Sequence, residues 1–141
     1  MSKKQLSKKI IVTGGGSGGH ISAALSVISN LEERYVLDKN HFLYVGGDLG
    51  MEGEKPGNSL EQKLMKGKSF ECKFIRAGKL QRSLSFNTIK LLFRTVLGLA
   101  DSYKIVKKFK PDVIMSTGGY VTVSVCLIAK LFKSKIYLHE Q

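Results

Sequence analysis

Cysteine is scarce in this 141-residue chain, which contains only Cys72 and Cys126. Neither lies in a CxxC pair or has a histidine at metal-ligand spacing, so the sequence predicts two free thiols in a reducing compartment and no metal site. No apolar run approaches the roughly 20 residues that span a bilayer. The basic start of the chain leads at once into glycines and provides no apolar signal-peptide core. We therefore expect a soluble or peripheral protein.

Acidic residues are also few, with 11 Asp and Glu against 23 Lys and Arg, and the formal net charge is +12. This excess favours an anionic partner. The chain has no recognition-helix pattern, zinc spacing or aromatic-rich RNA-binding strand, so we expect no nucleic-acid partner. An anionic membrane surface or a phosphorylated ligand fits the charge equally well. Residues 1–9 carry Lys3, Lys4, Lys8 and Lys9, and we expect a disordered, solvated tail there.

Short apolar segments alternate with helical patterns along residues 10–141. The predicted strands cover residues 10–13, 42–45, 70–75, 113–115 and 135–138. The predicted helices cover residues 21–34, 59–66, 87–109 and 120–132, the third as one helix or as two joined near Gly98. Such alternation is typical of an α/β fold. It predicts a Rossmann-like parallel sheet with helices on both faces, in a single domain.

The run TGGGSGGH at positions 13–20 lies between the first predicted strand and the first helix. Glycines there let backbone N–H groups approach an anion at the positive end of a helix dipole. His20 adds a group that can act as a general base or donate to a phosphate. Gly14, Gly16 and Gly19 also fit the dinucleotide pattern G-x-G-x-x-G, with Asp48 near the end of the second strand, so a nicotinamide- or flavin-binding domain stays open.

Two further clusters follow predicted strands. The turn TGGY at positions 117–120 is a second glycine loop, in which Tyr120 can stack on a ligand or hydrogen-bond to it. His139, Glu140 and Gln141 follow the last strand. Because ligands bind at the carboxyl ends of parallel strands, we expect these clusters to converge with the first glycine loop on one site.

Residues 79–99 mix basic and apolar side chains. Leu91, Leu92 and Phe93 are consecutive, so a single core-facing stripe cannot bury all three. The basic residues around them are Lys79, Arg82, Lys90 and Arg94. Apolar side chains ringed by Lys and Arg suit the surface of an anionic bilayer. Coverage of the same patch by another domain or by a dimer partner stays open.

Three motifs together resemble the N-terminal half of the MurG family, bacterial glycosyltransferases that add N-acetylglucosamine to lipid I and so make lipid II. They are GGSGGH at positions 15–20, GGYV at 118–121 and HEQ at 139–141, in this order. The stretches GME at 50–52 and IRAGKL at 75–80 add to the resemblance, which covers nearly the whole chain.

The resemblance implies a fold, an activity and a location. The fold is the N-terminal acceptor-binding half, residues 10–141, of a two-domain GT-B enzyme whose C-terminal donor domain is absent here. The activity is inverting transfer from UDP-GlcNAc to the C4 hydroxyl of lipid I, without a cofactor. The location is peripheral, on the anionic cytoplasmic face of the bacterial cell membrane, and we expect this half alone not to turn over.

The same resemblance implies residue roles. His20 would be the catalytic base. The acceptor and its pyrophosphate would contact Gly15, Gly16, Ser17, Gly18, Gly19, Gly118, Gly119, Tyr120, His139, Glu140 and Gln141.

The chain also departs from the family pattern. Ser17 stands where the family usually has Thr, Ser22 lies near a usual Pro, and the chain ends before the Asn of His-Glu-Gln-Asn. A usual Gly-Pro is replaced by Val123 and Ser124. Two alternatives stay open: the membrane-associated subunit of a split N-acetylglucosaminyltransferase of the eukaryotic type, and a nicotinamide-binding Rossmann domain.

Overall fold

The structure, a computed structural model, describes residues 2–49, 57–77 and 86–139. The elements in these ranges are, in chain order, β1 (Lys4–Gln5), β2 (Ile10–Thr13), α1 (Gly18–Arg34), β3 (Tyr35–Val36), β4 (Phe42–Gly47), α2 (Leu60–Met65), β5 (Glu71–Ile75), α3 (Phe86–Phe109), β6 (Val113–Ser116), α4 (Tyr120–Leu131) and β7 (Lys135–Leu138). The five strands and four helices predicted from the apolar pattern are all present, with bounds that differ by a few residues.

The main sheet is entirely parallel, with the strand order β5-β4-β2-β6-β7. The chain moves outward from β2 through β4 to β5 and then returns to the other side of β2 with β6. The strand order therefore reverses between β2 and β6. In open parallel sheets this reversal leaves a crevice at the carboxyl ends of the two strands, where ligands bind.

Both faces of the sheet are covered, as the sequence predicts. Side chains alternate along each strand, so neighbours on β2 face opposite layers. Val12 packs in a cluster with Ile28 of α1, and Ile11 packs in a second cluster with Val125 of α4. All four side chains are 1% exposed or less, so β2 lies between two apolar layers.

The short helix α2 begins at a capping box. The Ser59 hydroxyl accepts from the Gln62 amide at 3.2 Å, and the Gln62 side chain accepts from the Ser59 amide at 3.1 Å. These reciprocal bonds satisfy two amides that a helix start leaves without partners. The helix presents Glu61 to the protein interior, where its side chain is 0% exposed.

The prediction of a disordered tail over residues 1–9 needs correction. Residues Lys4–Gln5 form β1, which pairs in parallel with β3. Leu6 is 6% exposed and lies in the same apolar cluster as Leu37. The backbone amide of Lys9 donates to Asp112 at 2.8 Å. Strand pairing, the burial of Leu6 and the Lys9 bond together dock the segment, and charge composition does not reveal these contacts.

Helix α3 runs as one helix through Gly98. A Cβ atom at that position would lie 2.3 Å from the carbonyl oxygen of Arg76, so glycine lets the helix pack directly on the chain that follows β5. Arg76 also holds Asp101 with two side-chain bonds of 2.9 and 2.7 Å, and this hydrogen bonding lowers the pKa of the Asp101 carboxyl. No helix in the described ranges has the length and apolarity that crossing a bilayer requires.

Candidate functional site

The first glycine loop connects β2 to α1. The Ser17 hydroxyl caps the helix by accepting from the backbone amide of His20 at 3.4 Å. The loop therefore ends at the amino terminus of a 17-residue helix, where unpaired amides and the helix dipole favour an anion. Gly15 and Gly16 have amides with no acceptor in residues 2–49, 57–77 and 86–139.

The second glycine loop connects β6 to α4. Gly118 and Gly119 both have a φ of +92°, a conformation that side chains with a Cβ rarely adopt. The Gly118 amide donates to the Ser116 hydroxyl at 3.3 Å, so the protein itself uses this N–H. The resemblance implies that Gly118 contacts the acceptor, and this N–H is not free for such a contact.

The two loops lie against each other. A Cβ atom on Gly119 would be 2.0 Å from the carbonyl oxygen of Gly15, and one on Gly14 would be 1.9 Å from the Thr117 hydroxyl. Thr117 also donates its amide to Thr13 at 2.9 Å. The sheet thus brings residues about a hundred positions apart into contact, and the predicted convergence of the two loops is present.

His20 lies in the first turn of α1, half-buried between the loops. Its Nδ1 atom is 2.9 Å from the carbonyl oxygen of Thr117. A carbonyl can only accept, so Nδ1 must carry the ring proton. The other nitrogen, Nε2, then has a free lone pair and no hydrogen-bond partner in the described part of the chain. This is the tautomer that a general base needs.

Thr117 fixes His20 through a second contact. Its hydroxyl donates to the backbone carbonyl of His20 at 2.9 Å, while its own carbonyl holds the imidazole. A Cβ atom on Gly118 would come within 2.9 Å of the ring, so the ring lies directly on the glycine backbone. The second loop therefore orients the imidazole, which belongs to the helix that follows the first loop.

Tyr120 contacts both the first glycine loop and the end of β4. Its hydroxyl donates to the carbonyl oxygen of Leu49, just after β4, in a short hydrogen bond. Its ring covers Gly16, where a Cβ atom would be 2.0 Å from the ring edge. The side chain thus ties three loops together, and this geometry supports a structural role more than stacking on a sugar.

The cluster at the last strand is described only in part. The His139 amide donates to the carbonyl oxygen of Ser116 at 2.8 Å, which extends the pairing of β6 with β7. His139 lines a mainly apolar groove together with Gly118 and Thr122, beside the second glycine loop. Glu140 and Gln141 lie outside the described residues.

The basic and apolar segment is also described only in part. Lys79 and Arg82 lie outside the described residues, and of Lys90 and Leu91 the structure describes only the helical backbone. The other residues of the predicted patch are Leu92, Phe93 and Arg94. Leu92 is 64% exposed and Phe93 is 63% exposed. Two further exposed apolar residues of α3, Ile89 and Val96, extend the same surface.

Arg94 does not point freely into solvent. Its guanidinium contacts both carboxylate oxygens of Asp48 at 2.6 Å, and both side chains are largely buried. The pair links α3 to the end of β4. In a dinucleotide-binding domain the Asp48 carboxylate would accept hydrogen bonds from a ribose. Here it is bound by Arg94, so the geometry gives no support to nicotinamide binding through Asp48.

Three residues around the first loop carry no functional signal in the sequence. Thr117 is one position of a glycine turn, and Tyr44 and Glu61 belong to no functional motif. Tyr44 donates from its hydroxyl toward the Gly14 carbonyl, 2.5 Å away, and its oxygen is also 2.7 Å from Glu61. In the sequence Tyr44 is one apolar-looking position of a buried strand, and Glu61 one polar position of a short helix. Neither carried a signal that reasoning from the sequence could use.

Comparison with known proteins identifies the kind of domain. Residues 10–141 match the family model described as the glycosyltransferase family 28 N-terminal domain. A relative from Natranaerobius thermophilus and one from Finegoldia magna are each 40% identical to this chain over 94% of its length. Both are named UDP-N-acetylglucosamine--N-acetylmuramyl-(pentapeptide) pyrophosphoryl-undecaprenol N-acetylglucosamine transferase. The chain spans 33% of the length of either relative.

A solved structure shares the fold. The crystal structure of Acinetobacter baumannii MurG superposes with a TM-score of 0.67 at 20% identity, covering 94% of this chain and 35% of that one. At this identity the likeness concerns the fold alone. It agrees with the parallel sheet and the two layers of helices described above.

Proposed function

This chain belongs to the family of glycosyltransferase family 28 N-terminal domains, and from that premise we propose that it is the acceptor-binding part of an N-acetylglucosaminyltransferase. The transferase moves the sugar from UDP-GlcNAc to the C4 hydroxyl of lipid I with inversion, and so makes lipid II. The observation that carries the proposal is the imidazole of His20, held by Thr117 at the junction of two glycine loops.

The first loop supplies the diphosphate site in this proposal. The amides of Gly15 and Gly16 have no acceptor among the described residues, and those of Gly18 and Gly19 open helix α1. Backbone N–H groups at a helix amino terminus bind phosphate without the cost of desolvating a charged side chain. Ser17 caps the helix and keeps these amides in place.

His20 acts as the base. Its Nε2 lone pair takes the proton of the acceptor C4 hydroxyl as that oxygen attacks the anomeric carbon of the donor sugar. The bond from the anomeric carbon to UDP breaks, and UDP leaves with the electron pair. Nδ1–H remains hydrogen-bonded to the Thr117 carbonyl oxygen. The partial negative charge of that oxygen stabilises the imidazolium that forms. No metal or other cofactor is part of this step.

The remaining site residues have supporting roles in the proposal. His139 borders the groove beside the second loop, and Glu140 and Gln141 follow it along the chain. We assign these three side chains to the part of the cleft that receives the acceptor sugar. The donor binds mainly through a further domain. The relatives are about three times as long as this chain, which is long enough to include one.

The outer surface of α3 is the membrane contact in this proposal. Leu92 and Phe93 expose apolar side chains, and the chain as a whole carries a net charge of +12. Apolar insertion combined with attraction to anionic lipid gives peripheral binding. The protein would then sit on the cytoplasmic face of the bacterial membrane, close to a lipid-linked acceptor.

Vesicle binding tests this surface. We expect Leu92→Asp and Phe93→Asp each to lower the partition coefficient onto phosphatidylglycerol vesicles by about tenfold or more, because each removes a buried apolar side chain from the lipid interface. Leu131→Asp at the end of α4 is the matched control, since Leu131 is 74% exposed on another helix. Vesicle co-sedimentation at several salt concentrations is the measurement. Equal losses in all three variants, or binding indifferent to salt, would contradict the proposed contact.

Ligand titration tests the proposed function as a whole. We expect the chain to bind a soluble lipid I analogue and, more weakly, inorganic pyrophosphate in isothermal titration calorimetry. NAD should not bind, because Asp48 is held by Arg94. NAD binding without acceptor binding would instead support the nicotinamide domain. Acceptor binding together with copurification of a separate donor-binding chain would support the split transferase.

A further inference from the structure

A basic cavity lies at the opposite ends of the strands from the two glycine loops. Lys9 precedes β2, Lys39 precedes β4 and Lys73 lies in β5, two residues after its start. These three strands are neighbours in a parallel sheet, so their amino ends share one edge. The cavity at this edge has a volume of about 260 Å³ and is also lined by Lys108, in the last turn of α3. Four ammonium groups therefore surround one space.

The lining of the cavity is strongly positive. Glu71 is the one acidic residue among the described residues that line it, and its carboxylate pairs with Lys73 at 3.4 Å. The ammonium groups of Lys39 and Lys108 have no hydrogen-bond or ion-pair partner in residues 2–49, 57–77 and 86–139. Two cations are therefore available to a ligand, and the excess of positive charge favours an anionic one.

Lys9 offsets the partial negative charge at the end of α3. The carboxyl end of a helix disfavours an anion, because its last carbonyl groups lack amide partners. The Lys9 ammonium donates to the carbonyl oxygen of Phe109, the last residue of α3, at 3.2 Å, and lies 5.7 Å from the centroid of its ring. The Lys9 backbone amide donates to Asp112 at 2.8 Å, so two contacts hold the residue in place. Lys9 therefore reduces the repulsion that this helix end would exert on an anion.

The cavity also has an apolar wall. Ile105 and Phe109 of α3 are half-buried there, and the buried Leu43 of β4 lines the cavity as well. Asn40 adds a side-chain amide with no hydrogen-bond partner in the described part of the chain. Small-molecule sites combine such an apolar wall with a few polar groups that fix the orientation of the ligand. A volume of about 260 Å³ is just below the range of roughly 300–1,000 Å³ for drug-sized ligands, so it fits a smaller molecule.

We propose that this cavity binds a small soluble phosphate ester, of the size of a sugar monophosphate. Lys39 and Lys108 donate to the phosphoryl oxygens, and the organic part of the ligand packs against Ile105 and Phe109. Ammonium groups bind phosphate through charge-assisted hydrogen bonds, which are stronger than neutral ones. The cavity is separate from the glycine loops at the carboxyl ends of the same sheet, so this proposal does not depend on the function proposed above.

A lipid headgroup carries the same phosphate chemistry. The cavity, however, is about 20 Å along α3 from the proposed membrane contact, the distance from Val96 to Phe109 at the rise of an α-helix. We therefore assign a free phosphate ester as the ligand, and the experiment includes vesicles to separate the two sources.

The test is an NMR titration of the 141-residue chain with glucose 6-phosphate. We expect saturable shifts of the backbone amides of Asn40, Leu43 and Lys73, weaker binding of inorganic phosphate, and no such shifts with glucose. Lys39→Gln and Lys108→Gln should each weaken the binding of glucose 6-phosphate about three- to tenfold, the range for loss of one hydrogen bond. The affinity should also fall as salt is added, because both ammonium groups are exposed.

Lys107→Gln is the matched control. Lys107 is the neighbour of Lys108 in the last turn of α3 and is exposed in the same way, so its replacement removes the same charge. Its ammonium lies 5.4 Å from the centroid of the Tyr103 ring, and the residue does not line the cavity. The control should therefore bind glucose 6-phosphate within about twofold of the unchanged chain. Equal losses in Lys107→Gln and Lys108→Gln would indicate a general charge effect and overturn the proposal.

Four other results would also overturn it. The titration could show no saturable shifts around the cavity, or shifts confined to Gly15 and Gly16, which would place the ligand on the first glycine loop. Glucose could bind as tightly as glucose 6-phosphate, which would exclude recognition of the phosphate. Phosphatidylglycerol vesicles could bind in a manner that depends on Lys108 while glucose 6-phosphate does not bind, which would identify a lipid headgroup. The substituted lysines are exposed, so the variants should fold, and their amide spectra check this.

Discussion

Replacing His20 by alanine is expected to lower kcat by roughly a hundred- to ten-thousandfold, the range for loss of a positioned general base. The acceptor KM should change much less, because the amides of Gly15 and Gly16 remain to bind the diphosphate. The reason lies in the tautomer: Thr117 keeps the proton on Nδ1, so Nε2 is the atom that accepts from the sugar hydroxyl. Steady-state kinetics of a full-length transferase that carries this domain is the measurement.

The control for this variant is His41→Ala. His41 pairs with Asp38 at 3.1 Å before β4, at the opposite ends of the strands from the loops, and should leave kcat within about twofold, as surface changes usually do. Losses of similar size in kcat and in acceptor affinity would instead make His20 a binding group. An unchanged kcat in His20→Ala would remove the base from the proposed mechanism.

Substitution of Gly119 by alanine is expected to destabilise the domain by about 2–4 kcal/mol, from strain and overpacking together. The new Cβ atom would lie 2.0 Å from the carbonyl oxygen of Gly15, and the residue has a φ of +92°. Backbone must therefore move, and the two loops must separate. Pyrophosphate binding should be lost together with stability, because the separated loops no longer place His20 beside the amides. Urea unfolding and calorimetry measure the two effects.

Gly18→Ala is the matched control for this substitution. A Cβ atom on Gly18 would meet nothing within 4 Å, and its backbone needs no left-handed conformation. At the first position of α1 an alanine should leave stability unchanged or raise it by up to about 1 kcal/mol. If Gly119→Ala unfolded at the same urea concentration as Gly18→Ala, the close contact of the two loops would be contradicted.

Much of the architecture could be predicted because it depends on local pattern. The apolar period of β2 and α1, the capping box at Ser59 and the glycines after two strands each indicate an element within a few residues. Docking of Lys4–Gln5 on β3 could not be predicted, since two exposed residues carry no periodicity and Leu6 is the only apolar side chain in residues 2–9.

Some features of the candidate site could also be predicted from the sequence, and others could not. A glycine loop followed by a histidine indicates a phosphate site from the sequence alone. The position of both glycine loops after strands of one parallel sheet also indicates that the loops lie close together. The hydrogen bond from His20 to Thr117 spans 97 positions, and no local pattern reports it. Tyr120 and Arg94 were expected at a ligand and at a membrane, but their polar atoms contact Leu49 and Asp48.

The order of amino acids by itself determined a parallel α/β domain with two glycine loops at strand ends and a histidine beside one of them. Periodicity, capping and glycine placement act over a few neighbouring residues, so they can be read from a linear chain. Which imidazole nitrogen is available, which amides are already used, and which lysines share a cavity were decided only by the tertiary structure. Those properties depend on distances between atoms that the sheet brings together, and such distances arise only when the core packs.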